Sequence, residues 1–259
     1  MKIEGSYFLI TGSNRGIGRA VANEVAGRKA HLMLANRTSD ASLKEELMAR
    51  GAASVQDLHV DLGDRKSIDA LISQLKTKRV DILFNNAGQL TGGLFEEQSL
   101  DDIYSMLQVN VNALIHLTHG LLPQMIKQKS GKIINHSSVS GIMNIPCAST
   151  YSAAKSAVLA FNNCIRQELK PTGVTTLALI TPGIETRMFN DIPKMYGKNL
   201  NVGSFLKSIT PEDYAVQIAN AVESDQDYLL PSGSTRLSLF LAQHSPGLFE
   251  FIMGKNFTR

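Results

Sequence analysis

The sequence predicts an α/β fold, a doubly wound parallel sheet with helices on both faces. Three observations carry that expectation. Short continuous apolar runs alternate with longer segments of helical period. No internal repeat, low-complexity tract or linker rich in Gly, Pro or Ser interrupts them. A length of 259 residues suits one large α/β domain. Continuous apolar runs fit strands covered on both faces, and strand–helix–strand alternation calls for crossover connections between parallel strands.

The elements follow in order. Tyr7–Thr11 is a strand leading through a glycine-rich turn into the helical pattern Gly18–Ala26. His31–Ala35 precedes Leu43–Arg50, Ser54–His59 precedes Ile68–Lys76, and Asp81–Phe84 precedes the long pattern Ile103–His119. Lys132–His136 precedes Ser152–Leu169, and Thr175–Ile180 with a run near Tyr228–Leu230 completes the set. Sheets of this kind bind ligands beyond the carboxyl ends of their strands, near the reversal of strand order. The residues after each run are therefore the candidates for function.

Composition narrows the field. The chain is 43% hydrophobic and 19% charged, as ordinary globular proteins are. A net charge of +3 argues against nucleic acid and against an anionic membrane as partners. Cys147 and Cys164 read as reduced thiols of a cytoplasmic protein. The most apolar stretch, Leu237–Met253, is broken by Gln243, His244, Pro246 and Gly247, so no membrane span is expected.

The first strand runs into Gly12, Ser13, Asn14, Arg15, Gly16, Ile17 and Gly18. Glycines let backbone N–H groups approach a pyrophosphate, and the following helix offers its positive end. The turn lacks the Lys-Ser/Thr ending of a P-loop, which disfavours phosphoryl transfer. The second strand ends in Asn36, Arg37 and Thr38, with no carboxylate to receive a ribose 2′-hydroxyl. Arg37, with Arg15, suits a 2′-phosphate instead, so the expected cofactor is NADP(H).

The string T-G-x-x-x-G-x-G over Thr11–Gly18 resembles the cofactor turn of the short-chain dehydrogenase/reductase family, with its Rossmann-type sheet. The resemblance runs from about Ser6 to Pro231 and implies further cofactor contacts. It puts Asp61 and Leu62 beside the adenine ring. It puts Asn86, Ala87 and Gly88, in an N-N-A-G string, at the adenosine ribose. Pro182, Gly183, Ile184 and Thr186 form its bend near the nicotinamide, although Thr186 stands one residue closer to the proline than is usual.

Tyr151 and Lys155 stand four residues apart, on one face of a helix that begins at or before Tyr151. A neighbouring ammonium, and an oxidised nicotinamide ring when present, are expected to lower the phenol's pKa and suit it to acid–base work. Ser138 lies thirteen residues before Tyr151, the family spacing. By resemblance Tyr151 exchanges the substrate proton, Ser138 polarises the substrate oxygen, and Lys155 binds the nicotinamide ribose. Asn110, in preference to Asn112, holds a relay water. These residues imply hydride exchange between NADP(H) and a small-molecule carbonyl or alcohol, with reduction the expected direction.

Two other readings stand beside this one: a 3-oxoacyl carrier-protein reductase, and an NADPH-sensing protein without turnover. His116 and His119 read as core or interface residues, so no metal is expected. His136 beside Ser137 lacks the G-x-S-x-G of a serine hydrolase. The whole chain, 1–259, is expected to be one domain, with 187–210 a substrate-loop region and 237–259 an apolar C-terminal extension. That extension has three candidate roles: covering an apolar substrate cleft, touching a membrane surface, or packing across a subunit interface. Resemblance to the family, whose members commonly form dimers and tetramers, favours the last and implies a homodimer or homotetramer.

Overall fold

Alternate side chains of each apolar run are buried on opposite faces of one sheet. Phe8, Ile10, Leu32, Leu34 and Phe84 belong to one core, while Leu9, Met33, Leu58, Leu83 and Ile133 belong to the other. Both faces are covered, which is why the runs are continuous rather than alternating. The computed structural model describes residues 1–197, 199–200 and 208–259.

The elements are β1 (Tyr7–Thr11), α1 (Gly16–Gly27), β2 (His31–Asn36), α2 (Ala41–Ala49), β3 (Ser54–His59), α3 (Arg65–Leu75) and β4 (Ile82–Asn85). Then come α4 (Leu100–Leu107), α5 (Ala113–Gln128), β5 (Gly131–His136), α6 (Ser149–Glu168), β6 (Val174–Leu179), β7 (Gly183–Ile184) and α7 (Arg187–Tyr196). Last are β8 (Ser208–Ile209), α8 (Pro211–Glu223), β9 (Tyr228–Leu229), α9 (Gly233–His244) and α10 (Pro246–Lys255). The main sheet has seven strands in the order β3-β2-β1-β4-β5-β6-β9, all pairs parallel. Strand order reverses between β1 and β4, so their carboxyl ends meet where ligands bind in such sheets. The chain is a single domain of the doubly wound Rossmann type.

Helices α1, α2 and α8 pack on the first face through residues such as Val21, Val25, Leu47, Ile218 and Val222. Helices α3, α5 and α6 cover the second through Ile68, Leu71, Leu117, Leu121 and Ile165. Local chemistry starts several helices. Asp40, Asp64, Ser99 and Thr210 each accept from a backbone N–H of the turn that follows.

Two parts differ from the sequence expectation, and a third takes a form that it left open. The pattern Ile103–His119 is not one helix but α4 and α5 joined by a π-turn at Gln108–Asn112. Region 187–210 is not simply a loop, because it holds α7 and β8; residue 198 and residues 201–207 lie outside the described residues. The C-terminal extension folds as the helix pair α9 and α10, and Phe257 beyond them bridges to Leu200. Among the described residues no helix is long and apolar enough to cross a membrane.

Away from the carboxyl ends of the strands, Lys132 on β5 is fully buried, and its Nζ lies 2.8 Å from Asp225 Oδ1. Asp225 sits at φ 54°, a left-handed conformation that Asn tolerates and Ala resists. The Lys132 ammonium holds the Asp225 carboxyl below its ordinary pKa. Asp225→Asn keeps the backbone and strips the charge from the buried ammonium's partner. The variant should lose about 1–3 kcal/mol in urea unfolding, and adding Lys132→Met should recover much of that loss.

Candidate active site

The turn after β1 is built around glycines with no room for a side chain. Gly12 adopts φ 70°, and a Cβ on Gly18 would strike the Gly12 carbonyl oxygen and Asn86 Nδ2. Arg15, at the N-cap of α1, supplies no side-chain bond to the first-turn N–H groups. A narrow glycine cradle with uncapped donors fits a pyrophosphate.

Four other residues expected at the cofactor tie the turn to β2. Ser13 N donates to Asn36 Oδ1 at 2.8 Å, and Asn36 Nδ2 donates back to Ser13 Oγ at 2.8 Å. Asn14 Nδ2 donates to the Thr38 carbonyl at 2.7 Å. Arg15, in the turn, and Arg37, just past β2, are both exposed. Among the described residues neither guanidinium forms an ion pair, whereas the neighbouring Arg19 is held by Asp40 and Glu46.

The turn is clasped to β4 and β5. Thr11 Oγ1 accepts from the N–H groups of Asn86 and Ala87, both at 3.0 Å. Asn86 Nδ2 donates to the carbonyls of Thr11 and Gly12 at 2.9 and 3.1 Å. His136 Nδ1 donates to Asn86 Oδ1 at 3.1 Å, and the His136 carbonyl accepts from Lys155 Nζ at 2.8 Å. Burial and the Lys155 charge press the His136 pKa down to about 3, so its imidazole is neutral.

Lys155 is buried on α6, and desolvation brings its pKa down to about 8. Its ammonium lies 5.6 Å from the centroid of the Tyr151 ring. The Tyr151 phenol is pushed up to about 12 by burial, with the neighbouring Ser138 hydroxyl acting the other way. The lowering expected from Lys155 is absent among the protein's own groups, since the ammonium is turned to the His136 carbonyl. Ser137 and Ser138 divide clearly: Ser137 Oγ is spent on the Lys155 carbonyl at 2.8 Å, while Ser138 Oγ accepts from Ser140 N at 3.1 Å.

Asn110 is buried within the π-turn, and its amide pairs both ways with the Gln89 backbone, at 2.8 and 2.9 Å. A Cβ on Gly88 would lie 3.3 Å from Asn110 Oδ1 and 3.8 Å from Lys155 Nζ, so the three meet at one point. Asn112 is exposed. Thr186 caps α7, and its Cγ2 would be 3.3 Å from a Cβ on Gly16, which brings it against the glycine turn despite the shortened spacing. Pro182 precedes β7, which contains Gly183 and Ile184. Asp61 is less available: Oδ1 accepts from Gly63 N at 2.8 Å, while Leu62 packs partly against the core.

Sequence reading missed several contributors. A buried amide row, Asn85 to Asn135 at 2.9 Å and Asn135 to Asn162 at 3.1 Å, links β4, β5 and α6. Asn162 lies seven residues after Lys155 on the same helix, and a polar residue so placed on a buried face was the available signal. Nothing local marked the His136 carbonyl. His116 pairs with Asp69 at 2.9 Å and His119 is exposed. Among the described residues no three His, Cys, Asp or Glu side chains could hold a metal ion.

Comparison with known proteins gives consistent matches. A family model described as short chain dehydrogenase matches residues 6–197. The 3-oxoacyl-acyl-carrier-protein reductase FabG of Haemophilus influenzae is 32% identical over 183 residues, covering 70% of this chain and 74% of that protein. A short chain dehydrogenase/reductase of Burkholderia phymatum, solved in complex with NAD, matches with TM-score 0.83 and 24% identity, covering 96% of both chains. A short chain dehydrogenase of Burkholderia cenocepacia, solved in complex with NADP, matches with TM-score 0.81 and 21% identity, covering 98% of this chain and 99% of that one.

The neutral His136 makes a prediction about acid. Its folded pKa of about 3 lies below the ordinary 6.5, so between those values the unfolded chain binds the extra proton. Stability should therefore fall as pH drops from 6.5 towards 3. Melting temperatures followed across that window should fall less steeply in His136→Gln, which has no imidazole to titrate.

Proposed function

The chain belongs to the short-chain dehydrogenase/reductase family, and on that premise we propose that it is an NADP(H)-dependent reductase of small-molecule carbonyls. The observation that carries the proposal is the meeting of Ser138, Tyr151 and Lys155 beside a glycine cradle, with Arg15 in the turn and Arg37 just past β2 both exposed.

Gly12, Gly16, Ile17 and Gly18 would hold the pyrophosphate, with Thr186 against it. Arg15 and Arg37 would hold the 2′-phosphate through charge-assisted bonds. Asn86, Ala87 and Gly88 would border the adenosine ribose, and Asp61 and Leu62 the adenine. Pro182, Gly183 and Ile184 would border the nicotinamide and Lys155 its ribose. When bound, the nicotinamide supplies the hydride.

The chain's own groups manage the proton. Tyr151, protonated up to about pH 12, is poised as the acid that delivers a proton to the substrate oxygen during reduction. Ser138 donates a hydrogen bond to that oxygen as negative charge develops on it. Lys155, held by the His136 carbonyl with its pKa brought down to about 8, would supply the proton that restores the phenol after reduction. Asn110, fixed by Gln89, would position a water for proton return to Lys155.

Likeness to a 3-oxoacyl-acyl-carrier-protein reductase supports a second, narrower reading in which the carbonyl belongs to a 3-oxoacyl thioester. The two free thiols, Cys147 and Cys164, support a cytoplasmic setting. Exposed Leu237, Phe240 and Phe251 on α9 and α10 support packing as a homodimer or homotetramer.

Tyr151→Phe should leave NADPH affinity intact, measured by nucleotide fluorescence, while turnover falls about 10²–10⁴-fold. Turnover at the wild-type level would remove Tyr151 from the reaction. Replacing both Arg15 and Arg37 by Ala should weaken NADPH about 10- to 100-fold while NADH affinity holds steady. An unchanged ratio of the two affinities would overturn the choice of NADP(H).

A further inference from the structure

Tyr196, the last residue of α7, takes no part in the proton chain, yet it is 4% exposed at the edge of the same site. A Cβ on Gly92 would lie 1.9 Å from Cε1 of its ring, so the loop after β4 gives up a side chain there to admit it. Its Oη lies 3.5 Å from the Thr91 carbonyl, and among the described residues that is its one hydrogen bond. Such a distance is long for a phenol, which prefers an acceptor near 2.7–2.8 Å. A buried hydroxyl so poorly served gains by meeting a better acceptor.

Several contacts bind this hydroxyl's surroundings to the reacting group. Thr91 Oγ1 is 2.8 Å from the Oγ1 of Thr150, the residue before Tyr151. Gly93 N donates to the Cys147 carbonyl at 2.9 Å, joining the loop after β4 to the segment that leads into α6. Burial, with Tyr151 and Cys147 close by, pushes the Tyr196 pKa well up, so the phenol stays a donor at any working pH. Around it the surface is apolar, formed by Cys147, Leu200, Ile145, Ile192 and Phe257.

Resting on the reaction proposed above, we infer that Tyr196 is a specificity-determining residue that donates a hydrogen bond to a second oxygen of the substrate. The matching substrate class is a carbonyl compound with one further acceptor oxygen and an otherwise apolar body, such as a 3-oxo ester or thioester. A plain alkyl ketone leaves the phenol with its long bond to Thr91. A site with a buried polar group rejects an analogue that cannot satisfy it.

The test compares ethyl 3-oxohexanoate with 4-nonanone, its match in chain length and carbonyl position, using NADPH and Tyr196→Phe. Phe keeps the ring over Gly92. The variant should lose about 3- to 10-fold in kcat/KM for the oxo ester, chiefly through KM, with 4-nonanone unchanged. Calorimetry on the NADP⁺-loaded protein should give the same loss for ethyl 3-hydroxyhexanoate and none for 4-nonanol. Equal losses on both members of a pair, no loss on the oxygenated one, or a variant that no longer folds would each overturn the inference. If wild type reduces neither carbonyl, the proposed reaction fails for this class, while the calorimetric pair still decides Tyr196. Wild type without preference for the hydroxy ester over 4-nonanol would overturn it as well.

Discussion

The site depends on a relay of hydrogen bonds that begins at one hydroxyl. Thr11 gathers the N–H groups of Asn86 and Ala87 at the end of β1. Asn86 grips the glycine turn with its amide nitrogen and takes the His136 imidazole on its oxygen; the His136 carbonyl then holds Lys155. The cradle, three strand ends and the buried ammonium are therefore one connected object. Buried polar groups are costly unless partnered, so each member of such a chain fixes the next. Loss of any link would be felt at the others, even where no contact joins them directly.

What this relay does to charge is less obvious than its geometry. Proximity of an ammonium to a phenol usually means a lowered phenol pKa. Here desolvation acts on both groups and in opposite senses, bringing Lys155 down to about 8 and Tyr151 up to about 12. The phenol keeps its proton while the amine can part with its own near neutrality. For the reduction proposed above, that order suits a group that gives a proton to substrate oxygen and is refilled afterwards.

Much of this was legible in the residues. The glycine turn is a local pattern whose chemistry follows from residue type, whereas the N-N-A-G string and the choice of Ser138 beside Tyr151 and Lys155 were legible through resemblance to the family. The continuous runs gave the strands because each is covered on both faces. Long-range pairings were harder. Nothing within a few residues of Asn85 announces Asn135, and nothing near Tyr196 announces Gly92; sheet order and the return of α7 create those contacts. The π-turn escaped for another reason. Gln108–Asn112 lies between two segments of helical apolar period and holds no Gly or Pro to part them, so the whole reads as one helix, although the π-turn carries a residue more per turn.

That extra residue has a consequence for how the protein can vary. A π-turn amounts to an insertion absorbed within a helix, and it turns the Asn110 amide to Gln89 while α5 continues on its own register against the sheet. Deleting one residue between 108 and 112 would restore an ordinary helix and leave Leu117 and Leu121 facing the core. What would go is the widened turn that presents the Asn110 amide to Gln89. The length of this segment therefore serves the site and not the stability of the helix.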